Sequence, residues 1–284
     1  MALCLQLLGD TVVMAPTSPT QMRGAIDSSM EAQGPLFLDH ADTIGAGRTN
    51  LNALAQTTPL SLRTATGLNL QVRATTVVLA ASHGLTDSLD ASVVLPLLIE
   101  TADARLQLGP FAGRATTSLS GPSDLGARLK YHLAPGLAAT LEATFPTGNH
   151  SKGLGTGDYW LSPGIVANRS IGPFQLSGRV AFDTNLSSAA HSTLSYGAGL
   201  SWLAWPRHLA LVTELIGQLA VDEPAPVEIL GIDYSARHVV DLAFGVRVPL
   251  GSHLMLFAAG SYAILSGGLR ADGVFPTLGI GGSF

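Results

Sequence analysis

The side chains of this chain that could do chemistry are ten charged residues, each set into a segment that is otherwise mostly apolar. Five of them are basic and five are acidic, so a surface that gathered them would form ion pairs and show no strong preference for anions or cations. The ten residues are Arg73, Asp90, Arg128, Lys130, Glu142, Arg179, Asp183, Glu214, Asp241 and Arg247.

Other kinds of chemistry find little support in the sequence. Gly153-x-Gly155-x-Gly157 resembles a nucleotide loop, but a dinucleotide fingerprint follows a strand and opens a helix, and this run precedes a predicted strand. The eight histidines include no His-x-x-x-His pair, and the single cysteine, Cys4, excludes a Cys-x-x-Cys site. No Gly-x-Ser-x-Gly elbow is present. We therefore expect no metal, no cofactor and no enzymatic activity.

The composition indicates a membrane protein. Charged residues make up 12% of the 284 residues, about half the usual share of roughly 25%. This composition excludes disorder, and a net charge of −5 without a run of Lys or Arg argues against nucleic-acid binding. The two long stretches without formal charge, 184–206 and 248–269, are too polar or too broken by Pro and Gly to be spanning helices. The remaining membrane solution is a closed β-barrel.

Apolar and polar residues alternate along much of the chain after about residue 43. Residues 137–145, 174–183 and 240–250 each place apolar side chains on one face and polar side chains on the other, which predicts strands. Segment 74–82 is apolar on both sides, so its faces cannot be assigned. About twelve strands are predicted, at 44–56, 67–83, 88–99, 124–133, 137–146, 158–168, 174–184, 194–204, 208–220, 237–248, 253–264 and 274–284.

The connections between these predicted strands alternate between tight and long. Outer-membrane barrels have short periplasmic turns and longer external loops, and an even number of strands places both termini on the periplasmic side. The tight connections are Gly84 to Asp87, Ala134 to Gly136, Arg169 to Pro173, Trp205 to Arg207 and Pro249 to Ser252. The long ones are 57–66, 100–123, 147–157, 185–193, 221–236 and 265–273.

These patterns predict an all-β fold, a single antiparallel transmembrane β-barrel of about twelve strands over residues 41–284. With a tilt of about 40° such a barrel is roughly 24 Å across, which leaves at most a narrow pore. The ten charged residues are predicted to point into the lumen, because Arg or Lys facing lipid costs about 2 to 4 kcal/mol near the midplane. Pairing around the Ala134 to Gly136 turn sets Arg128 opposite Glu142. Whether these charges line an open pore or hold a narrow lumen closed stays open.

The two ends of the chain differ from the rest. Residues 1–40 form an N-terminal segment, interpreted as the remnant of a truncated signal followed by a linker, with a short amphipathic segment as the alternative. The last strand alternates up to its final residue, Phe284. A terminal aromatic residue in such a strand resembles the signal that the outer-membrane barrel assembly machinery reads. The glycine run at 153–157 is interpreted as an external loop that folds back over the barrel mouth.

The chain resembles the bacterial outer-membrane family called the meta-pathway of phenol degradation family, whose members are often labelled "transporter". The resemblance spans about residues 70–284 and does not cover the first 40 residues. It rests on Ser82-His83-Gly84-Leu85-Thr86-Asp87-Ser88-Leu89-Asp90 with Leu95-Pro96-Leu97, on Asp124-Leu125-Gly126-Ala127-Arg128-Leu129-Lys130-Tyr131, on Phe145-Pro146-Thr147-Gly148-Asn149 with Gly153-Leu154-Gly155-Thr156-Gly157-Asp158, and on the C-terminal strand ending in Phe284.

The resemblance implies an outer-membrane channel or transporter for small hydrophobic or aromatic solutes. The partners it implies are outer-membrane lipid, the barrel assembly machinery and a small-molecule solute. The family offers no established catalytic residues to carry over. Two other functions stay open: a structural or adhesive outer-membrane barrel whose loops contact partners, and, with less support, a membrane-embedded hydrolase with a Ser-His site.

Overall fold

The computed structural model describes residues 35–63, 68–108, 111–187, 192–205, 208–222, 228–229, 232–233, 238–265 and 274–284. Most of the predicted N-terminal segment, residues 1–34, lies outside these ranges, as do residues 206–207 of one predicted tight turn. Within the described ranges, no helix has both the length and the apolar character needed to cross a membrane.

The described part of the chain is built almost entirely of β-strands, with one short 3-10 helix at His150–Lys152. The strands are β1 (Thr49–Arg63), β2 (Leu68–Thr86), β3 (Leu89–Leu108), β4 (Phe111–Pro122), β5 (Leu125–Ala134), β6 (Leu137–Phe145), β7 (Trp160–Ile171), β8 (Phe174–Asn185), β9 (Ser192–Trp205), β10 (Leu209–Ala220), β11 (Glu228–Ile229), β12 (Ile232–Asp233), β13 (His238–Leu250), β14 (Leu254–Leu265) and β15 (Val274–Ser283).

These strands form one closed antiparallel barrel of twelve strands. β4 and β5 together make one barrel strand, because both pair with β3 and only Ser123 and Asp124 separate them. Each barrel strand pairs with its neighbour in the chain, and β15 closes the barrel on β1 with Asn50 opposite Ser283. The short β11 and β12 pair only with each other. The predicted single twelve-stranded barrel is therefore confirmed.

The barrel strands turn polar residues inward and apolar residues outward. On β5, Leu129 and Tyr131 are 46% and 51% exposed, whereas Arg128 and Lys130, which alternate with them along the strand, are 2% and 1% exposed. The same alternation leaves Phe174 and Trp202 on the outer surface, where their rings stack with centroids 6.4 Å apart. An outward apolar surface of this extent is stable in lipid and would aggregate in water.

The two ends of the barrel differ as the loop lengths predicted. The short-turn end carries both chain ends of the sheet and the tight turns, in which Gly136, Gly172 and Gly251 adopt positive φ angles of 72°, 60° and 73°. Tight hairpin turns require this left-handed conformation, which glycine adopts without steric cost. The opposite end, the long-loop end, carries longer connections after β6, β8, β10 and β14. Only 64–67 join β1 to β2 and only 109–110 join β3 to β4, so the predicted alternation of tight and long connections fails at these two places.

Several strands are longer than predicted at the long-loop end. Residues 100–123 were expected to form a loop, but β3 continues to Leu108 and pairs with β4 along Phe111–Pro122. Part of the predicted loop 57–66 likewise belongs to β1, which runs to Arg63 and begins at Thr49 instead of residue 44. Strands that project beyond the apolar zone need no apolar outer face, so their sequences lack the alternation on which the prediction rested.

Candidate functional site

A segment that precedes β1 lies inside the barrel. We call residues 35–44 the lumen segment. Its residues from Leu36 to Ala41 are at most 2% exposed. The chain leaves the lumen at the short-turn end, where Gly45 and Gly47 adopt positive φ angles and the Gly47 N–H donates to the Gly84 carbonyl at 2.8 Å. Residues 35–40, predicted as part of an N-terminal linker, are thus part of the barrel interior.

A buried carboxylate anchors the middle of the lumen segment to two strands of the wall. The Arg128 guanidinium on β5 donates to the Asp39 carboxylate at 2.6 Å, and Nε of Arg179 on β8 lies 3.2 Å from the same carboxylate. Arg179 also donates to Glu142 on β6 at 2.9 Å. All four side chains are buried, and the formal charges of these two guanidinium and two carboxylate groups sum to zero.

The start of the lumen segment is held through its backbone. The N–H groups of Leu36 and Phe37 donate to the two oxygens of the Glu214 carboxylate at 2.6 and 2.8 Å. The Arg247 guanidinium donates to the Pro35 carbonyl. Hydrogen bonds that involve a charged group are stronger than neutral ones, so β10 and β13 hold this part of the segment firmly.

The end of the lumen segment is held by β3 and β5. The Lys130 ammonium donates to the carbonyls of His40 and Asp42 at 3.2 and 2.5 Å and lies 3.5 Å from the Asp90 carboxylate. Asp90 in turn accepts from the Ile44 N–H at 3.1 Å. The segment therefore crosses the lumen from β13 to β3 and is attached on both sides.

Three apolar side chains of the lumen segment pack against an apolar part of the wall. Leu36, Phe37 and Leu38 form a buried cluster with inward-facing residues of β1, β2, β3, β10, β13 and β14, namely Leu54, Val78, Ala80, Val94, Val212, Ile216, Ala243 and Phe257. Two glycines of β9 leave room for Leu38: a Cβ atom added to Gly197 would lie 2.3 Å from its Cδ2 atom, and one added to Gly199 would lie 3.2 Å from its Cδ1 atom.

Nine of the ten predicted lumen charges are buried in the barrel. Six of them contact the lumen segment directly, namely Asp90, Arg128, Lys130, Arg179, Glu214 and Arg247. Glu142 contacts it through Arg179. Asp183 and Asp241 are buried nearer the long-loop end of their strands. The predicted cross-strand register holds, since Arg128 lies directly opposite Glu142.

The prediction for Arg73 is wrong. Its side chain is exposed, on the face of β2 that also carries the exposed Leu79, whereas Ala74, Thr76 and Val78 point inward. Because segment 74–82 is apolar on both faces, alternation gives no signal there. Arg73 also lies far along β2 from the short-turn end, so its outward position need not place a charge at the membrane midplane.

A second feature narrows the barrel at its long-loop end. The buried Asp124 carboxylate accepts from the Gly148 N–H at 3.0 Å and from the Thr156 N–H at 2.6 Å, which draws the connection between β6 and β7 inward. Leu154 is buried against Gly121, where an added Cβ atom would lie 2.7 Å from its side chain. Gly121 lies opposite Leu98, which is on the inward-facing side of β3, so Gly121 also faces the lumen. The glycine run 153–157 thus folds over the barrel mouth, as predicted.

Asp39, His40 and the apolar run Leu36-Phe37-Leu38 were not among the predicted site residues. An apolar triplet followed by two titratable residues is unusual for a linker, and this was the signal available. His40 lies in the polar part of the site, where its Nε2 is 2.8 Å from the Gln175 amide nitrogen. Among the residues that the structure describes, no cluster of three or more His, Cys, Asp and Glu side chains is placed to hold a metal ion.

The fold and the interior define a twelve-stranded barrel of the outer-membrane type with a chain segment inside its lumen. No family model matches the chain, and no curated protein matches it in sequence. Solved structures share its fold. The COG4313 outer-membrane channel from Pseudomonas putida F1 is 18% identical, with a TM-score of 0.61 over 86% of this chain and 98% of that one.

Two further solved structures have similar barrels. The transport unit of the autotransporter AIDA-I from Escherichia coli is 11% identical, with a TM-score of 0.52 over 93% of this chain and 99% of that chain. The NanC porin is 10% identical, with a TM-score of 0.50 over 82% of this chain and 98% of that chain. At these identities the likeness concerns the fold.

Proposed function

We propose that this chain is an outer-membrane channel for small solutes and that the lumen segment is its plug. The short-turn end then faces the periplasm and the long-loop end faces outward, as is usual for outer-membrane barrels. The observation that carries the proposal is the way the lumen is filled. Wall side chains that met across the lumen would close it permanently, whereas a separate segment leaves a continuous passage when it moves.

The attachment of the lumen segment supports a plug that can move. Charged and hydrogen-bonded contacts hold it at Asp39, at Lys130 and at Glu214. Water that enters as the segment leaves would replace these hydrogen bonds on both sides. Its covalent connection to β1 runs through residues 45–48 at the short-turn end. The apolar part of the wall supports the hydrophobic or aromatic solutes that the family resemblance implies.

A disulfide across the plug tests this function. Ala41 packs with Ala138 of β6 and with Val166 in one buried cluster. In a variant with Cys4→Ser, Ala41→Cys and Ala138→Cys, oxidation would tie the lumen segment to the wall. We expect conductance steps in planar bilayers from the reduced, refolded full chain and none after oxidation, with recovery on reduction.

The single-cysteine variants are the matched controls for the disulfide experiment, because each carries one of the two introduced cysteines and cannot form the bond. They should conduct equally under both conditions. Unchanged conductance in a fully oxidised double variant would show that solutes do not pass where the plug lies. Failure of the wild-type chain and of the reduced variant to conduct at all would refute a channel and favour a structural barrel.

Deletion of Phe284 is expected to slow assembly in cells without weakening the folded barrel. Its backbone exchanges two hydrogen bonds with Thr49, at 2.9 and 3.0 Å, and its side chain is exposed. The pairing of β15 with β1 continues from Asn50–Ser283 to Gln56–Thr277, so the barrel stays closed when this last pair is lost. If the barrel assembly machinery reads this residue, the deleted chain should accumulate in the periplasm, as fractionation would show, and refold normally in detergent. Normal insertion in cells would contradict this role.

A further inference from the structure

We propose that the place now taken by the Asp39 carboxylate and its apolar neighbours is a binding site for a small monocarboxylate with an apolar body, such as an aromatic acid. In this view the lumen segment occupies the site as a built-in competitor, and a solute must displace it to pass. The inference rests on the proposed channel function and specifies the class of solute.

The charges of the site select an anion. Arg128 and Arg179 both contact the Asp39 carboxylate, and Glu142 contacts Arg179 from β6. Without Asp39, the charged groups of this cluster are the Arg128 and Arg179 guanidinium groups and the Glu142 carboxylate, whose formal charges sum to +1. A carboxylate that entered beside them would restore the charge balance of the cluster, which a neutral solute would not do.

The geometry selects a carboxylate. The Arg128 Nη1 atom lies 2.6 Å from one oxygen of Asp39, and the Arg179 Nε atom lies 3.2 Å from the other. Two guanidinium groups thus approach the two oxygens of one planar group, an arrangement that suits a carboxylate of any source. With the lumen segment in place, these two side chains are 1% and 2% exposed.

The remainder of the site suits an apolar body. Phe37 and Leu38 precede Asp39 directly and pack against the apolar part of the wall that includes Val78, Val212 and Phe257. When the segment leaves, this surface faces the lumen within a few ångströms of the arginine pair, because Phe37 and Leu38 are the immediate neighbours of Asp39 in the chain. A ligand that carries a carboxylate on a ring or short alkyl chain would satisfy both surfaces.

Calorimetric titration of the refolded full chain with benzoate tests the inference, with benzamide as the neutral match. Asp39→Asn removes the competing carboxylate and keeps its shape, so we expect benzoate to bind this variant at least about tenfold more tightly than wild type, since occupancy by the competitor lowers apparent affinity. Benzamide offers the arginines no negative charge, so it should bind either protein much more weakly than benzoate does. Adding Arg179→Gln to Asp39→Asn should abolish the gain.

Asp42→Asn is the control, because it removes another carboxylate of the same segment. The Asp42 carboxylate contacts His40 and Asn168 and not the two arginines. This variant should leave benzoate affinity at the wild-type value. Equal benzoate affinity in wild type and Asp39→Asn, or benzamide binding as tightly as benzoate, would overturn the inference. Because binding is measured without conductance, this outcome is distinct from failure of the channel: conductance without carboxylate binding refutes the site alone.

Discussion

Replacing Gly197 with leucine is expected to drive the plug out of the barrel and to raise conductance several-fold. A Cβ atom at this position would lie 2.3 Å from Leu38 Cδ2 and 3.1 Å from the Leu215 carbonyl oxygen, so a leucine side chain cannot share the lumen with Leu38. Overpacking a filled interior costs about 1 to 3 kcal/mol, and a segment that is not part of the sheet can relieve it by moving. Single-channel recordings in planar bilayers measure the effect.

Gly178→Leu on the neighbouring strand is the matched control. An added Cβ atom there meets nothing closer than the Gly197 carbonyl oxygen at 3.8 Å, and the position alternates with the inward-facing Ser177 and Arg179, so it faces outward. This variant adds the same volume to the lipid-facing surface and should conduct like wild type. If Gly197→Leu folded normally, as judged by migration on unheated gels, but conducted no better than Gly178→Leu, the lumen segment would not be the plug.

The fold could be predicted closely because the membrane imposes a strict code on each strand. A residue facing lipid must be apolar, so alternation was clear in β6, β8 and β13, where the predicted boundaries lie within a few residues of the observed ones. Where the outer face leaves the apolar zone, as in β3 beyond residue 99 and in β4, the code no longer applies. The prediction failed for those strand extensions and for the side chain of Arg73.

The site was only half predictable, for a different reason. Alternation identifies which wall residues point inward, and it placed Arg128, Glu142 and Arg179 correctly. It says nothing about a segment without regular structure that is packed inside the wall. Asp39 has no periodic neighbours, and its partners lie 89 and 140 residues further along the chain. Contacts of that range are fixed by closure of the barrel, which local sequence does not encode.

The lumen cluster makes a second prediction, in which two substitutions do less harm than the sum of their separate effects. Arg128→Ala leaves Asp39 and Glu142 to share Arg179, a buried net charge of −1. Breaking a buried ion pair in this way typically costs about 3 to 5 kcal/mol. Arg114→Ala on β4 is the control, because its partner Asp103 is at the surface side of the sheet and Arg114 is 62% exposed. An exposed pair of this kind is worth less than about 1 kcal/mol.

Adding Glu142→Ala to Arg128→Ala should restore part of the lost stability, because the cluster that remains is the neutral pair of Asp39 and Arg179. Coupling between neighbouring charges of this kind amounts to about 0.5 to 3 kcal/mol, well above the error of an unfolding measurement. Urea unfolding of the refolded barrel in detergent, run on wild type, both single variants and the double variant, gives the coupling energy. Arg128 and Glu142 lie opposite each other in the register. Strictly additive losses would show that they nevertheless do not share one charge cluster. A double variant more stable than Arg128→Ala alone would establish that the buried charges are balanced around Asp39.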